Sequence, residues 1–212
     1  MIYKKFITEN TLGCILPNSI ILNENGTKLK IHKGSKITPE IIKLLIKNKV
    51  EEINCLKLEE HEIDENTAAE KISKSFISKN QKVFAYKNFM TGRCNIIAKK
   101  NGIFYYDEKK ITALNNISPT ISIATINCFK KVKKGQNLAT IKIIPFAINK
   151  NDFEKFKKAA SNSFKIAIFK KIKVHVIQTY NSETKQSLLE KTKIVTQNRL
   201  KDCGMNNISE SR

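Results

Sequence analysis

The chain has 212 residues and a formal net charge of +20, long enough for one large domain or two small ones with a real core. No apolar run approaches the roughly 18 residues that a membrane helix needs, and the opening MIYKKFITEN lacks the apolar centre of a secretory signal. A soluble, cytoplasmic protein without a membrane partner is expected.

The charge points first to nucleic acid or an anionic surface. Against this, only Arg93, Arg199 and Arg212 are arginine, the residue favoured for bidentate phosphate and base contacts. The lysines are spread along the whole chain, so a solvated Lys-rich surface is favoured over a nucleic-acid face. Cys14, Cys55, Cys94, Cys128 and Cys203 form no CxxC pair, and His32, His61 and His175 supply no clustered partner. No metal site is expected, and the thiols read as reduced and mostly buried.

In chain order, Met1–Leu22 reads as a strand, a turn at Gly13 and a second apolar run broken at Pro17-Asn18. Asn25-Gly26 is a tight-turn signal, from which Leu29–His32 pairs back. The clearest helix start follows: Thr38 as N-cap, Pro39 at the first helical position and Glu40 in the first turn. Ile41, Ile42, Leu44 and Leu45 form its apolar face, and Glu51–Leu58 is a strand. Glu59–Glu65 reads as an acidic connector to a helix over Thr67–Ser78, capped by Asp64 or Asn66.

From Val83 strands and turns take over. Phe84–Phe89 is extended, Met90–Arg93 is a loop, and Cys94–Lys99 is a strand that Lys100-Asn101-Gly102 turns back into Ile103–Tyr106. Asp107 caps a short helix, Thr120–Ile126 is a strand, and Val132–Phe146 carries an alternating apolar strand ended by Pro145. A helix over Phe153–Ala160 and a strand at Phe164–Phe169 complete this part. Lys173–Tyr180 then alternates cleanly into the polar loop Asn181-Ser182-Glu183. A long helix follows, with Leu188, Leu189, Thr192, Val195 and Leu200 on its apolar side, ending at Gly204. The fold class is α+β. An N-terminal region over residues 1–172, with submodules of about 1–82 and 83–172, precedes a first βα unit over 173–204. Residues 205–212 read as a disordered tail.

Three stretches could carry chemistry. The loop after Tyr180, with Thr179, Asn181, Ser182, Thr184 and Lys185, lies between a strand end and a helix start, where backbone N–H groups suit phosphate; Ser182 could equally be an ordinary helix cap. Thr91, Arg93 and Asn95 flank Gly92 and could hold an anion or carboxylate, or form a surface loop with an exposed Arg. Lys142 interrupts an apolar strand, and its default reading is a solvated side chain. No catalytic arrangement is visible.

The run TGRCNIIAKKNGIFYYDEKKITALNNISPTISIATINCFKKVKKGQNLATIKIIPFAI resembles the N-terminal half of bacterial molybdopterin-binding proteins. The T-G-R-V-N-L-like element of that family is matched at Thr91–Ile96, its N-A-V-D-E-x-I-T-x-A-T-like segment at Asn115–Thr125, and its G-Q-x-V-A-T-V-K-I-I-P-F-A-V stretch at Gly135–Ile148. The run Gln178–Gly204, with Leu189-Glu190-Lys191-Thr192 and Asn198-Arg199-Leu200, and the segment Gly34–Leu45 are similar to later and earlier family segments. The resemblance implies binding of molybdopterin or a related pterin during molybdenum cofactor biosynthesis, with other molybdenum cofactor proteins as partners. Some members carry a fused nucleotidyltransferase domain that attaches a nucleotide to molybdopterin.

It also implies an α/β ligand domain that continues past the long helix, and a Gly-containing loop where this chain has Tyr180-Asn181-Ser182. A truncated ligand domain is therefore expected here, with weak or no ligand binding by the chain itself and a partly exposed apolar face on Ser187–Leu200. The alternatives are a basic nucleic-acid-binding module and a structural remnant without activity.

Overall fold

The computed structural model describes residues 1–24, 26–88 and 91–212. Asn25 of the expected tight turn, Phe89 at the end of the expected strand and Met90 of the expected loop lie outside the described residues. The architecture is α+β.

The N-terminal module encloses its own small core. Strand β1 (Ile2–Ile7) pairs antiparallel with β4 (Glu52–Lys57), and β2 (Ile20–Glu24) with β3 (Thr27–Ile31). Helix α1 (Pro39–Lys47) starts as its sequence dictates: the Thr38 hydroxyl accepts from the Ile41 N–H at 3.4 Å. Leu16, Leu22, Ile37, Leu45 and Cys55 are buried together. Burial, and then the neighbouring Cys14 thiol, pushes Cys55 up to about 12, so this thiol is a packing residue and not a nucleophile.

The larger core belongs to the central part. Its elements are β5 (Glu62–Asp64), α2 (Glu65–Phe76), β6 (Phe84–Asn88), β7 (Arg93–Ala98), β8 (Gly102–Tyr105), α3 (Glu108–Asn115), β9 (Ile121–Thr125), β10 (Lys130–Val132), β11 (Asn137–Ile143), β12 (Ala147–Asn149), α4 (Lys150–Ala160) and β13 (Lys165–Ile168). An antiparallel sheet in the order β6-β7-β11-β9 faces a second in the order β10-β8-β13 across buried aromatics. Phe84 meets Phe104 edge-on at 6.4 Å, and Phe164 stacks on Phe76 at 4.5 Å. Asp64, Asp107 and Asn149 cap α2, α3 and α4 through their side chains. Helix α2, at the end of the first submodule in the sequence, packs in this second core. The acidic connector contributes β5, whose Ile63 stands opposite Ile148 of β12.

Two local expectations are corrected here. Lys100-Asn101-Gly102 does not turn β7 back on itself: the chain crosses to the other sheet, where β8 pairs with β10 and β13. The glycine serves close approach, because a Cβ at Gly102 would sit 2.3 Å from the Ala167 carbonyl oxygen.

Residues 205–212 are the second correction. They include β15 (Ile208–Ser211), which pairs in parallel with β14 (Val174–Ile177) across the helix α5 (Gln186–Asp202). Polar contacts, in place of apolar burial, hold this strand. Both ring nitrogens of His175 bond serine hydroxyls, Ser209 at 2.8 Å and Ser211 at 2.9 Å. Glu210 takes Lys193 at 3.0 Å and the Arg212 Nε at 2.9 Å, and accepts from the Gln178 amide at 2.9 Å. On α5 only Leu189 is buried, whereas Leu188, Ile194 and Val195 are exposed. Among the described residues no helix is long and apolar enough to cross a membrane.

The Glu210 carboxyl is held down at about 2 from its ordinary 4.5, by its hydrogen bond to Lys193 first and then by Arg212 and Gln178 against an opposing burial effect. The folded state favours the ionised form, so this support is complete above pH 4.5 and fades as pH falls towards 2. Hydrogen exchange at the Val174 and Gln178 amides, which donate to Asn207 and Ser211, should therefore lose protection across that interval. In Glu210→Gln the loss should already be present at neutral pH.

Candidate functional site

The sequence-derived candidates converge in one cleft and separate elsewhere. Strand β11 opens with a bulge: Asn137 pairs with Ile97, but Ala139 pairs with Ile96, so Leu138 is an extra residue and both Leu138 and Ala139 are buried. Beyond the bulge Ile141 and Ile143 point into the core, while Lys142 is exposed directly opposite Arg93 of β7. These two cations share a cleft of about 350 Å³ with Thr91, Ile144, Phe146, the carboxylate of Glu65 and Lys33 from the N-terminal module.

Glu65 is the first residue of α2 and is only 7% exposed. Its backbone N–H donates to the Phe146 carbonyl at 2.9 Å. Among the described residues, its carboxylate has no hydrogen-bonding partner and no cation within 4 Å. Burial raises its pKa and the adjacent Asp64 adds to this, with Lys33 and Lys142 acting in the opposite direction. Arg93, Lys142 and Lys33 likewise form no ion pair among the described residues. Like charges directly opposite each other on paired strands cost stability; here both side chains are exposed, and the Glu65 carboxylate in the same cleft interacts with Lys33 and Lys142.

Gly92 packs behind the cleft, against Glu65 and the Ile143 backbone. It has φ +63°, its N–H donates to the Asn66 side chain at 3.0 Å, and its carbonyl accepts from Ile143 at 2.7 Å. A Cβ there would lie 2.5 Å from the Glu65 carboxylate and 2.7 Å from the Ile143 carbonyl oxygen. Asn95, the third member of the sequence candidate, lies on the same face of β7 as Arg93 but one pair further along, outside the cleft lining, where its side-chain oxygen accepts from Thr140 at 2.9 Å. Glu65 and Lys33 escaped the sequence reading, since neither stands in a motif. The available signal was Glu65 beside the helix cap Asp64.

The loop after Tyr180 forms a separate, open hollow of about 650 Å³ with the start of α5. Asn181, Thr184 and Lys185 line it together with Leu188 and Lys191, but Thr179 and Ser182 do not. Asn181 and Thr184 bond each other: the Asn181 N–H donates to the Thr184 hydroxyl at 3.2 Å, and that hydroxyl donates to the Asn181 side-chain oxygen at 2.8 Å. Ser182 is not the helix cap. Lys185 occupies that position and makes no side-chain capping bond, leaving the first turn of α5 without one.

Elsewhere, Glu59, His61 and Glu62 are close enough to share an ion, with ligand atoms within 4.8 Å of one another. Glu59 and Glu62 there hold the Met1 ammonium group.

Gly92→Ala should lower stability by about 3 kcal/mol, from left-handed strain plus overpacking. The expected observation is a lower urea midpoint at unchanged slope; a midpoint equal to the parent's would contradict the packing described. Comparison with family models, curated proteins and solved structures gave no match for this chain.

Proposed function

We propose that this chain is a molybdopterin-binding protein of molybdenum cofactor biosynthesis, acting in the cytoplasm. The family resemblance of its sequence, densest at Gly135–Ile148, supports the reading. The geometric observation that carries it is the unit β14–loop–α5–β15. Two parallel strands joined through a helix set the polar loop at Asn181–Lys185 beyond a strand's carboxyl end, where doubly wound folds take phosphate-bearing ligands. The uncapped first turn of α5 and Lys185 suit the phosphate of a pterin of this class, and the exposed Leu188 offers an apolar surface beside them. The free cysteines fit a reducing compartment.

A two-stranded unit contacts such a ligand from few directions, so the affinity expected is weak. Titrating the chain into molybdopterin and following pterin fluorescence should give a saturable change that Asn181→Ala and Lys185→Ala weaken. No change at protein concentrations up to about 1 mM, equivalent to about 4 kcal/mol of binding, would overturn the reading.

One observation favours a second reading, a basic nucleic-acid-binding module. Phe129 is 74% exposed and lies parallel to the Tyr105 ring at 6.1 Å, with the Lys165 ammonium group 5.9 Å from the Tyr105 centroid. Such a platform suits an unpaired base. Single-stranded oligonucleotide binding that falls steeply with salt, without any pterin response, would select this reading over the first.

A further inference from the structure

The cleft between β7, β11 and α2 shares no lining residue with the loop at Asn181–Lys185, and the pterin reading makes no use of it. Its chemistry is nevertheless specific. Arg93 and Lys142 stand opposite each other in register, at the ends of strands that otherwise bury apolar side chains. Lys33 reaches the same space from the other core. None of the three has a carboxylate within 4 Å among the described residues.

Glu65 is a buried residue at 7% exposure, lines the cleft, and its carboxylate forms no hydrogen bond among the described residues. Its oxygens are not among the buried polar atoms left without a partner, so the carboxylate opens onto the cleft and is available to a donor there. The remaining wall is apolar, formed in part by the exposed Ile144 and the half-buried Phe146. A volume of about 350 Å³ exceeds what an inorganic anion fills and falls at the small end of organic ligand sites.

We propose that this cleft binds a small phosphate monoester, with its phosphate between Arg93, Lys142 and Lys33 and a hydrogen-bond donor on the same molecule placed against Glu65. Three cations match a dianionic phosphate and leave Glu65 to recognise the other end. The Arg fork gives the phosphate two parallel donors, and the lysines act as point charges. The apolar wall accommodates the carbon skeleton between the two polar ends. The like-charge pairing of Arg93 with Lys142 is then relieved when the ligand is present.

Two probes test this by calorimetry: inorganic phosphate and O-phosphoethanolamine, which adds an ammonium donor to the same phosphate. Both should bind, the amine-bearing probe about tenfold more tightly. Arg93→Gln and Lys142→Gln, both at exposed positions, should weaken both probes about tenfold, and Lys33→Gln should do so to a smaller extent. Glu65→Gln, nearly isosteric, should remove the preference for the amine and spare inorganic phosphate. Lys109→Gln, on α3, should change neither affinity. Circular dichroism melting confirms that each variant is folded. Failure of either probe to bind at about 10 mM, or equal binding by the parent and the folded Arg93 and Lys142 variants, would overturn the proposal. Neither probe contains a pterin, so either outcome leaves the molybdopterin reading to its own test.

Discussion

One extra residue in β11 governs the centre of this molecule. Without the bulge at Leu138, the pairing of Asn137 with Ile97 would continue in step and set Lys142 opposite Gly92. With it, Lys142 stands opposite Arg93. The slip is tolerable because Leu138 and Ala139 are both buried, so the extra residue adds to the core. Ile141 and Ile143, fully buried between β7 and β9, then fix the remaining alternation. The apolar face thus dictates where the charged face points. Gly92 completes the arrangement, since only a residue without a side chain fits between Glu65 and the Ile143 carbonyl in its left-handed conformation.

The chain uses two different means of holding strands in place. In the central sheets, apolar residues and an aromatic cluster around Phe104 and Phe164 supply the stabilisation. In the C-terminal unit little apolar surface is covered: Ile177 is 71% and Leu188 57% exposed. Ion pairs and side-chain hydrogen bonds centred on Glu210 and His175 hold β15 there instead. Such contacts are weaker where water competes, which sets this unit apart from the central core in its expected sensitivity to salt and acid.

Much of the fold was legible from local chemistry. Thr38-Pro39-Glu40, Asp64 and Asp107 announced three helix starts because capping is a property of a few adjacent residues. Alternation located most strands. Strand partners were not legible in the same way: Gly102 looked like a hairpin glycine, and only the close approach of β13 explains it. The tail at Ile208–Ser211 was missed because its pattern has one apolar residue and relies on polar partners far away in sequence. Of the site, Thr91, Arg93 and Lys142 were visible as anomalies, but their convergence was not. That depends on a bulge with no sequence signature and on a buried glutamate that looked like part of an acidic connector.

The register of β11 sets Lys142 opposite Arg93, and amide chemical-shift mapping during a titration with inorganic phosphate tests most directly the proposal that these cations and Lys33 hold an anion. Saturable shifts concentrated at Gly92, Arg93, Lys142 and Ile143 are expected. Shifts scattered over the lysine-rich surface, or confined to Asn181–Lys191, would contradict it.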